Sequence, residues 1–497
     1  MATNHEPLHI LFFPFFAPGH LIPVADMAAV FASRGARCTI LTTPVNADII
    51  RPAIDRANGH NLGSPAIDIS LIPFPDVGLP PGVENAMALR TFKVDYRPKF
   101  MQAAQLLREP FHRFLADHRP DAVVSDSFFS WTLDAAAEHG VPRIVFLGTS
   151  MFARSCDESM LRNTPLETTT TADSPDDDQL VSLPGLPHRV ELRQSQVVDP
   201  RKQPASWAFY ESNNAADQRS FGEVFNSFRE LEPDYVEHFH ATLGRRAWLV
   251  GPVALAATKG IPANARSSGV GADSCLRWLH TKPAGSVLYV SFGTVTRFSP
   301  AEMREIARGL DLSGKNFVWV ISAAEDWPDW MPEGFAELTA HGKDSRGFMM
   351  RGWAPQTLIL NHPSLGGFMT HCGWNSVLEA VSAGVPMVTW PRYSDQFYNE
   401  KLIVEVLKVG VSVGAKDYAS PMDTHEVIGG EVIAGSITRL MRDGGAWGKA
   451  KELGVTARSA VEKGGSSYDD VGRLMDELTF RRRLLKIGED VRAAHGA

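Results

Sequence analysis

One contiguous run constrains this chain more than any other: the 44 residues from Trp353 to Gln396, WAPQTLILNHPSLGGFMTHCGWNSVLEAVSAGVPMVTWPRYSDQ. It opens with a turn and a short helix whose apolar face is Leu358 and Ile359. His362-Pro363 ends that helix, because a residue before proline is pushed out of the helical region. Gly366 to Met369 then read as a buried strand, and Thr370-His371-Cys372-Gly373 as the loop after it. Trp374 to Ala383 is helical, with Val377, Leu378 and Val381 on one side. Gly384 supplies the left-handed residue that closes a helix, and Val385 to Trp390 runs into the next strand. Strand, loop, helix and strand in that order make one unit of a parallel sheet.

Polar residues gather where that helix begins. His371, Gly373, Asn375 and Ser376 surround its N-terminus, where free backbone N–H groups and the helix dipole favour an anion such as a phosphate. Asn375 and Glu379 are four apart and share a face, which puts a carboxylate one turn deeper, suited to two sugar hydroxyls. Trp353 offers a flat ring for a base, and Asp395-Gln396 can bind a further polyol. Base, ribose, diphosphate and sugar together describe a nucleotide-sugar.

The rest of the composition narrows the class. At 497 residues the chain is too long for a single core and predicts two large domains. A net charge of −8 argues against a nucleic-acid surface. Cys38, Cys156, Cys275 and Cys372 show no CxxC spacing, so neither a disulfide framework nor a zinc site is expected and a reducing, cytoplasmic compartment is. The N-terminus lacks a signal-peptide layout, and no apolar run is long enough to span a membrane.

Taken in order, Leu8 to Phe15 reads as a central parallel strand. Phe16 to His20 reads as a turn, followed by a helix through Val24, Met27 and Phe31 and a strand at Cys38 to Thr43. His20 therefore falls in a loop at a carboxyl strand end, where open α/β sheets bind ligands. By position alone a lone histidine more often reads as an ordinary surface or structural residue. Pro120 to Asp126 is a strand ending in an aspartate, and Asp126 is placed either to cap its own helix or to serve a site. Asp121 starts that strand and is expected at the opposite edge. Ile144 to Leu147 is another strand, ending at Gly148-Thr149-Ser150. Thr164 to Gln179, with Asp176-Asp177-Asp178, is expected to be a mobile surface loop. Ala256 to Ser274 has linker composition. The second half repeats the βα pattern with strands at Ser286 to Ser291, Phe317 to Ile321 and Gly347 to Met350. The expected domains are 1–253, a linker 254–274, 275–475, and a basic C-terminal helix 476–497.

The 353–396 run resembles the signature box of plant family 1 UDP-glycosyltransferases in length, spacing and most of its fixed letters, and the likeness extends over essentially the whole chain. It implies an α/β architecture of two facing Rossmann-like domains (GT-B), with parallel sheets flanked by helices. The acceptor would bind the first domain and the donor the second, with reaction in the cleft; the last helix would return to the first domain. The resemblance makes His20, in Gly19-His20-x-x-Pro23, the general base and Asp126 its orienting acid. It adds Ser291, Ala354, Gln356 and Trp374 to the donor set of Trp353, His371, Gly373, Asn375, Ser376, Glu379, Asp395 and Gln396, and puts Thr149 near the sugar.

Gln396 and Trp374 resemble members that use glucose, so UDP-glucose is the implied co-substrate, with no permanently bound cofactor and no metal. One displacement on its α-linked sugar gives a β-glucoside. The phrases Phe12-Phe13-Pro14, Asn226-Ser227-Phe228-x-Glu230-Leu231-Glu232 and Phe397-Tyr398-Asn399-Glu400-Lys401-Leu402 resemble the branch acting on flavonoids, steroids, triterpenoids and other phenolics. That branch commonly has Glu where this chain has Asp395. Phe15, Phe16, Phe128, Phe129 and Phe152 are candidates for an apolar acceptor pocket. A monomer without nucleic-acid or membrane partners is expected. Transfer to carbon, and a non-catalytic UDP-sugar binder, remain as alternatives. A Rossmann oxidoreductase is disfavoured, because the nearest glycine motif, Gly269-Val270-Gly271, lies in the linker and lacks its third glycine.

Overall fold

The computed structural model of the chain describes residues 6–60, 63–89, 92, 94–166, 179–259, 272–321, 330–340, 342, 345–418 and 425–495. Most of the expected acidic loop, with Asp176-Asp177-Asp178, the Gly269-Val270-Gly271 motif and most of the expected linker lie outside the described residues. The chain forms two compact units, each a Rossmann-like α/β layer structure, the GT-B architecture. One unit is built from 1–148, 208–259 and 459–497, the other from 149–207 and 260–458. The division departs from the expected boundaries: residues 149–207 group with the second unit and 459–475 with the first. No single cut in the chain can describe it, because each unit is assembled from separate segments.

The strands in chain order are β1 His9–Phe13, β2 Arg37–Thr42, β3 Ile67–Leu71, β4 Ala122–Asp126, β5 Arg143–Phe146, β6 Leu180–Leu183, β7 Val190–Arg193, β8 Gly222–Phe225, β9 Ala247–Leu249, β10 Val287–Ser291, β11 Asn316–Ile321, β12 Gly347–Arg351, β13 Leu365–Thr370, β14 Met387–Thr389 and β15 Gly410–Ser412. In the first unit the order is β3-β2-β1-β4-β5-β8-β9, parallel throughout. Alternation along β1 sends Ile10 and Phe12 into one core and Leu11 and Phe13 into another. The first of these cores also takes Val24, Met27 and Phe31 of the Pro18–Ser33 helix and Val471, Leu474 and Leu478 of the final helix, Ser466–His495. Burial on both faces is why β1 reads as a continuous apolar run.

In the second unit the order is β12-β11-β10-β13-β14-β15, again parallel. A separate antiparallel hairpin, β6–β7, belongs to this unit. Strand order reverses between β1 and β4 in one sheet and between β10 and β13 in the other. Such reversals open a crevice at the carboxyl ends of the strands. No helix among the described residues is long and apolar enough to cross a membrane.

Candidate functional site

At the reversal point of the first unit, β1 leads into the Pro18–Ser33 helix and β4 ends on Asp126. The helix begins two residues before His20, not after it: Pro18, with its φ preset and no N–H to lose, occupies the first position. His20 thus stands in the helix's first turn, where the sequence suggested a loop. Its Nδ1 lies 2.6 Å from Asp126 Oδ2, across 106 positions of sequence. The Asp126 side chain is fully buried and that of His20 is 20% exposed, so the pair shows solvent only the imidazole. The other Asp126 oxygen accepts from the Phe128 backbone N–H at 3.0 Å. Asp126 does not cap the next helix, because that helix starts only at Thr132. Asp121, at the amino end of β4, accepts instead from His9 N–H and Arg482.

Aromatic rings frame the imidazole. Phe15 and Phe128 lie edge-on or tilted at 5.5 and 5.4 Å between ring centroids. Phe209 packs on Phe128 and Phe100 on Phe15. Of the phenylalanines proposed from sequence, Phe16, Phe129 and Phe152 are fully buried core, and Phe152 falls in the second unit. Phe15 is nearly buried, which leaves Phe128 as the one with accessible surface. Phe209 was missed because the helix that carries it, Pro204–Gln218, is remote in sequence.

In the second unit the box folds as one compact supersecondary element. Gln356–Leu360 is helical, β13 follows, and the helix Trp374–Ala383 ends on Gly384 at φ 72°. Gly373 is the N-cap and makes no side-chain cap bond, so the first N–H groups of a ten-residue helix lie at the end of β13. His371 is wedged between two glycines: a Cβ on Gly293 or on Gly373 would come within 2.6 or 2.5 Å of its Nε2. Any larger residue at either position would displace the ring. Burial holds the His371 pKa down at about 4, so the ring is neutral at pH 7 and offers one N–H. Its Nδ1 is buried and has no partner among the described residues.

Further along, Gln356 Nε2 donates to Ser376 Oγ at 3.0 Å and to Glu379 Oε2 at 2.6 Å, and its Oε1 accepts from Tyr289 OH at 3.2 Å. Burial pushes the Glu379 carboxyl up to about 7, and the Gln356 bond opposes this. Ser291, almost buried, ends β10 opposite Thr370 of β13. Asn375 occupies the second position of the Trp374–Ala383 helix, half-buried, one residue before Ser376. Trp353 is 56% exposed, with Ala354 half-buried beside it. Trp374, in contrast, is core, so its contribution at the helix start is its backbone and not its ring.

Asp395 and Gln396 follow a turn in which Ser394 has φ 59°. Gln396 Oε1 accepts from the backbone N–H groups of Arg392 and Tyr393, and the residue is buried. Asp395 Oδ2 accepts from Thr149 Oγ1 at 2.5 Å and from Asn399 Nδ2 at 3.0 Å. Asn399, fully buried, also donates to the Cys372 carbonyl and accepts from Ser150 Oγ. Asn399 thus ties the His371 loop to Asp395. The sequence named it only within a family phrase, since its partners come from separate segments. Among the described residues no group of three or more metal-ligating side chains converges.

The chain is similar to known proteins over nearly its whole length. The family model described as "UDP-glucoronosyl and UDP-glucosyl transferase" matches residues 211–423. A scopoletin glucosyltransferase of Nicotiana tabacum is 43% identical over 484 residues, 95% of this chain and 98% of that protein. An anthocyanin 3'-O-beta-glucosyltransferase of Gentiana triflora is 40% identical over 95% of this chain and 99% of its own. Among solved structures, a Glycyrrhiza uralensis UGT complexed with glycyrrhetinic acid 3-O-monoglucuronide superposes with TM-score 0.87 at 35% identity, covering 98% of this chain and all of that one. A Medicago truncatula UGT complexed with UDP-glucose gives TM-score 0.78 at 27% identity, over 96% of this chain and all of the other.

Proposed function

The chain belongs to the plant family 1 UDP-glycosyltransferases, and on that premise we propose that it transfers glucose from UDP-glucose to a hydroxyl of a small lipophilic phenolic. The observation that carries this reading is the 2.6 Å contact between His20 Nδ1 and Asp126 Oδ2 at the reversal point of the first sheet. Asp126 accepts a hydrogen bond from the Nδ1–H, so Nε2 is the basic nitrogen. A hydroxyl held by the first unit gives its proton to Nε2 while its oxygen attacks the anomeric carbon. Asp126 stabilises the imidazolium that results, as the carboxylate does in hydrolase triads. The glycosidic bond to phosphate breaks on the opposite side, UDP leaves, and the α-linked donor gives a β-glucoside.

The second unit holds the donor. Trp353 stacks the base, Glu379 accepts the ribose hydroxyls, and the uncapped helix start with His371, Asn375, Ser376 and Ser291 receives the diphosphate. Neutral donors placed where charge grows on the leaving phosphate act mainly on the transition state, so no divalent metal is required. Asp395 and Gln396 address the sugar, with Thr149 beside them. Phe15, Phe128 and Phe209 give the acceptor side its apolar character, which suits the scopoletin and anthocyanin acted on by the relatives. Four buried free cysteines support a reducing, cytoplasmic compartment.

An acceptor panel with UDP-glucose, read by UDP release and product mass, tests the reading. A β-O-glucoside of scopoletin or a flavonoid is the expected product. Resistance of that product to β-glucosidase would indicate carbon transfer. No UDP release with any phenol would make the protein a binder and overturn the proposal.

A further inference from the structure

Arg143 and Asp217 form a buried ion pair in the first unit, 3.0 Å from Nη1 to Oδ1, with both side chains almost wholly out of solvent. We propose that this pair is a positioning clamp for the carboxylate of the His20–Asp126 dyad; the inference rests on the reading of His20 as the base. All three guanidinium nitrogens are engaged, and two of them reach the end of β4. Nε donates to Ser125 Oγ at 2.8 Å and Thr132 Oγ1 at 2.9 Å. Nη1 reaches Asp217 and Ser220 Oγ, and Nη2 reaches the carbonyl oxygen of Asp126 itself at 3.3 Å. Asp217 in turn accepts from Ser127 Oγ at 2.6 Å. The residues before and after Asp126, and its own carbonyl, are thereby fastened to one ion pair.

The two sides of the sheet divide the work. Val124, the neighbour-but-one of Asp126, packs in the core with the helix that carries His20, while Val123 packs in the opposite core. By alternation Ser125 lies on the side away from that helix, and Ser127 meets Asp217 from the turn just beyond the strand. The dyad therefore occupies one face and the clamp the other. Arg143 comes from β5, where it pairs in register with Val123, and Asp217 from the Pro204–Gln218 helix. A lysine could not replace the arginine, because a compact ammonium cannot present a fixed fork to five acceptors. A pair that served only to cement the core would have no reason to hold both neighbours of the one carboxylate that meets His20.

The test compares benzyl alcohol, which must lose a proton during attack, with a nitrophenol that is already largely ionised. Asp217→Asn keeps the shape of the pair and removes its charge. It should lower kcat for benzyl alcohol about 10-fold and that for the nitrophenol only about 2-fold, because a loosened base affects the acceptor that needs one. The acidic limb of the kcat/KM profile should move to lower pH, since a less well-placed carboxylate stabilises the imidazolium less. Ser127→Ala leaves the ion pair intact and should give a smaller change in the same direction; it decides the matter if Asp217→Asn does not fold. Equal losses on both acceptors, tracking the folded fraction in a thermal melt with the acidic limb unmoved, would overturn the clamp. His20→Ala is run alongside. If it separates the two acceptors and the Asp217 and Ser127 variants do not, the clamp falls alone. If His20→Ala fails to separate them, the base assignment falls and takes the clamp with it.

Discussion

The two units carry their functional residues in opposite ways. In the first, two side chains 106 residues apart meet at one short contact, and nearly everything around them is apolar ring or buried support. In the second, a contiguous run supplies most of the site, and its polar groups are already paired with one another: Gln356 with Glu379 and Ser376, Asp395 with Thr149 and Asn399, Gln396 with backbone N–H groups. The dyad is preorganised and has little to rearrange. On the proposed reading a donor exchanges some of these internal bonds for its own hydroxyls, so each contact there contributes a modest difference, while the dyad's chemistry is concentrated in one proton transfer.

The comparison is broken most directly at His20. His20→Ala should lower kcat for an aliphatic alcohol by roughly 10²–10⁴-fold, the range for a lost general base. Titration calorimetry with UDP should show binding unchanged, because the residue lies in the other unit. A loss of equal size for acceptors of every acidity would end the base assignment.

On the donor side the effects should be smaller. On the proposed reading His371→Ala removes one N–H that serves the diphosphate, and it opens a cavity between Gly293 and Gly373. It should cost about 10–100-fold in kcat/KM, matching a hydrogen bond to a charged group, and should lower kcat as well as raise the UDP-glucose KM. An unchanged kcat would place His371 in ground-state binding alone. Addition of a chelator should leave the wild-type rate as it was, and a strict magnesium requirement surviving chelation controls would contradict a diphosphate held by the helix start.

Gln396→His is expected to shift preference toward UDP-galactose by a few fold without a faster overall rate, since single neutral hydrogen bonds are worth about 0.5–1.5 kcal/mol. Mixed-donor competition reads this directly. Wild-type preference for UDP-glucuronate would refute the glucose assignment.

The smallest effect is a pH slope. Burial raises the folded pKa of Glu379 from 4.5 to about 7, so the fold favours the neutral acid. Relative to the unfolded chain, the group binds more protons between those values, and its contribution to stability falls as pH rises through them, then levels off above about 7. On the proposed reading ribose hydroxyls donate to the carboxylate and favour the charged form, so UDP should bind more tightly as pH rises toward 7. Glu379→Gln should flatten the protein's share of that slope, leaving only the titration of the phosphate. Parallel slopes in the two proteins would remove Glu379 from the ribose site.

How much of this was legible in advance depends on how local each feature is. The box was readable almost to the residue: the helix was expected at Trp374 to Ala383 and is found at Trp374–Ala383, closed by Gly384. Periodicity, a proline stop and a left-handed glycine all act within a few residues, so the chain announces them without tertiary help. The central parallel strands were equally plain, because burial on both faces demands runs such as Ile10 to Phe13, while the edge strands Ile67–Leu71 and Gly410–Ser412 were not read. Where the first helix begins was not: proline at its first position made Pro18-Gly19 resemble a turn.

By itself, then, the order of residues determined the two Rossmann-like halves, the local fold of the 353–396 run and the chemistry each candidate side chain could offer. Only the tertiary structure decided which candidates meet. Whether Asp126 capped a helix or faced an imidazole depended on β1 and β4 lying side by side, and segment 149–207 joined the second unit through partners such as Asp395 and Asn399. The clamp of Arg143 and Asp217, and the pairing of Gln356 with Glu379, exist only because separate segments are brought within hydrogen-bond reach. Such bonds depend on distances of tenths of an ångström between chain-distant atoms, and those distances are set by the packing of whole sheets and helices.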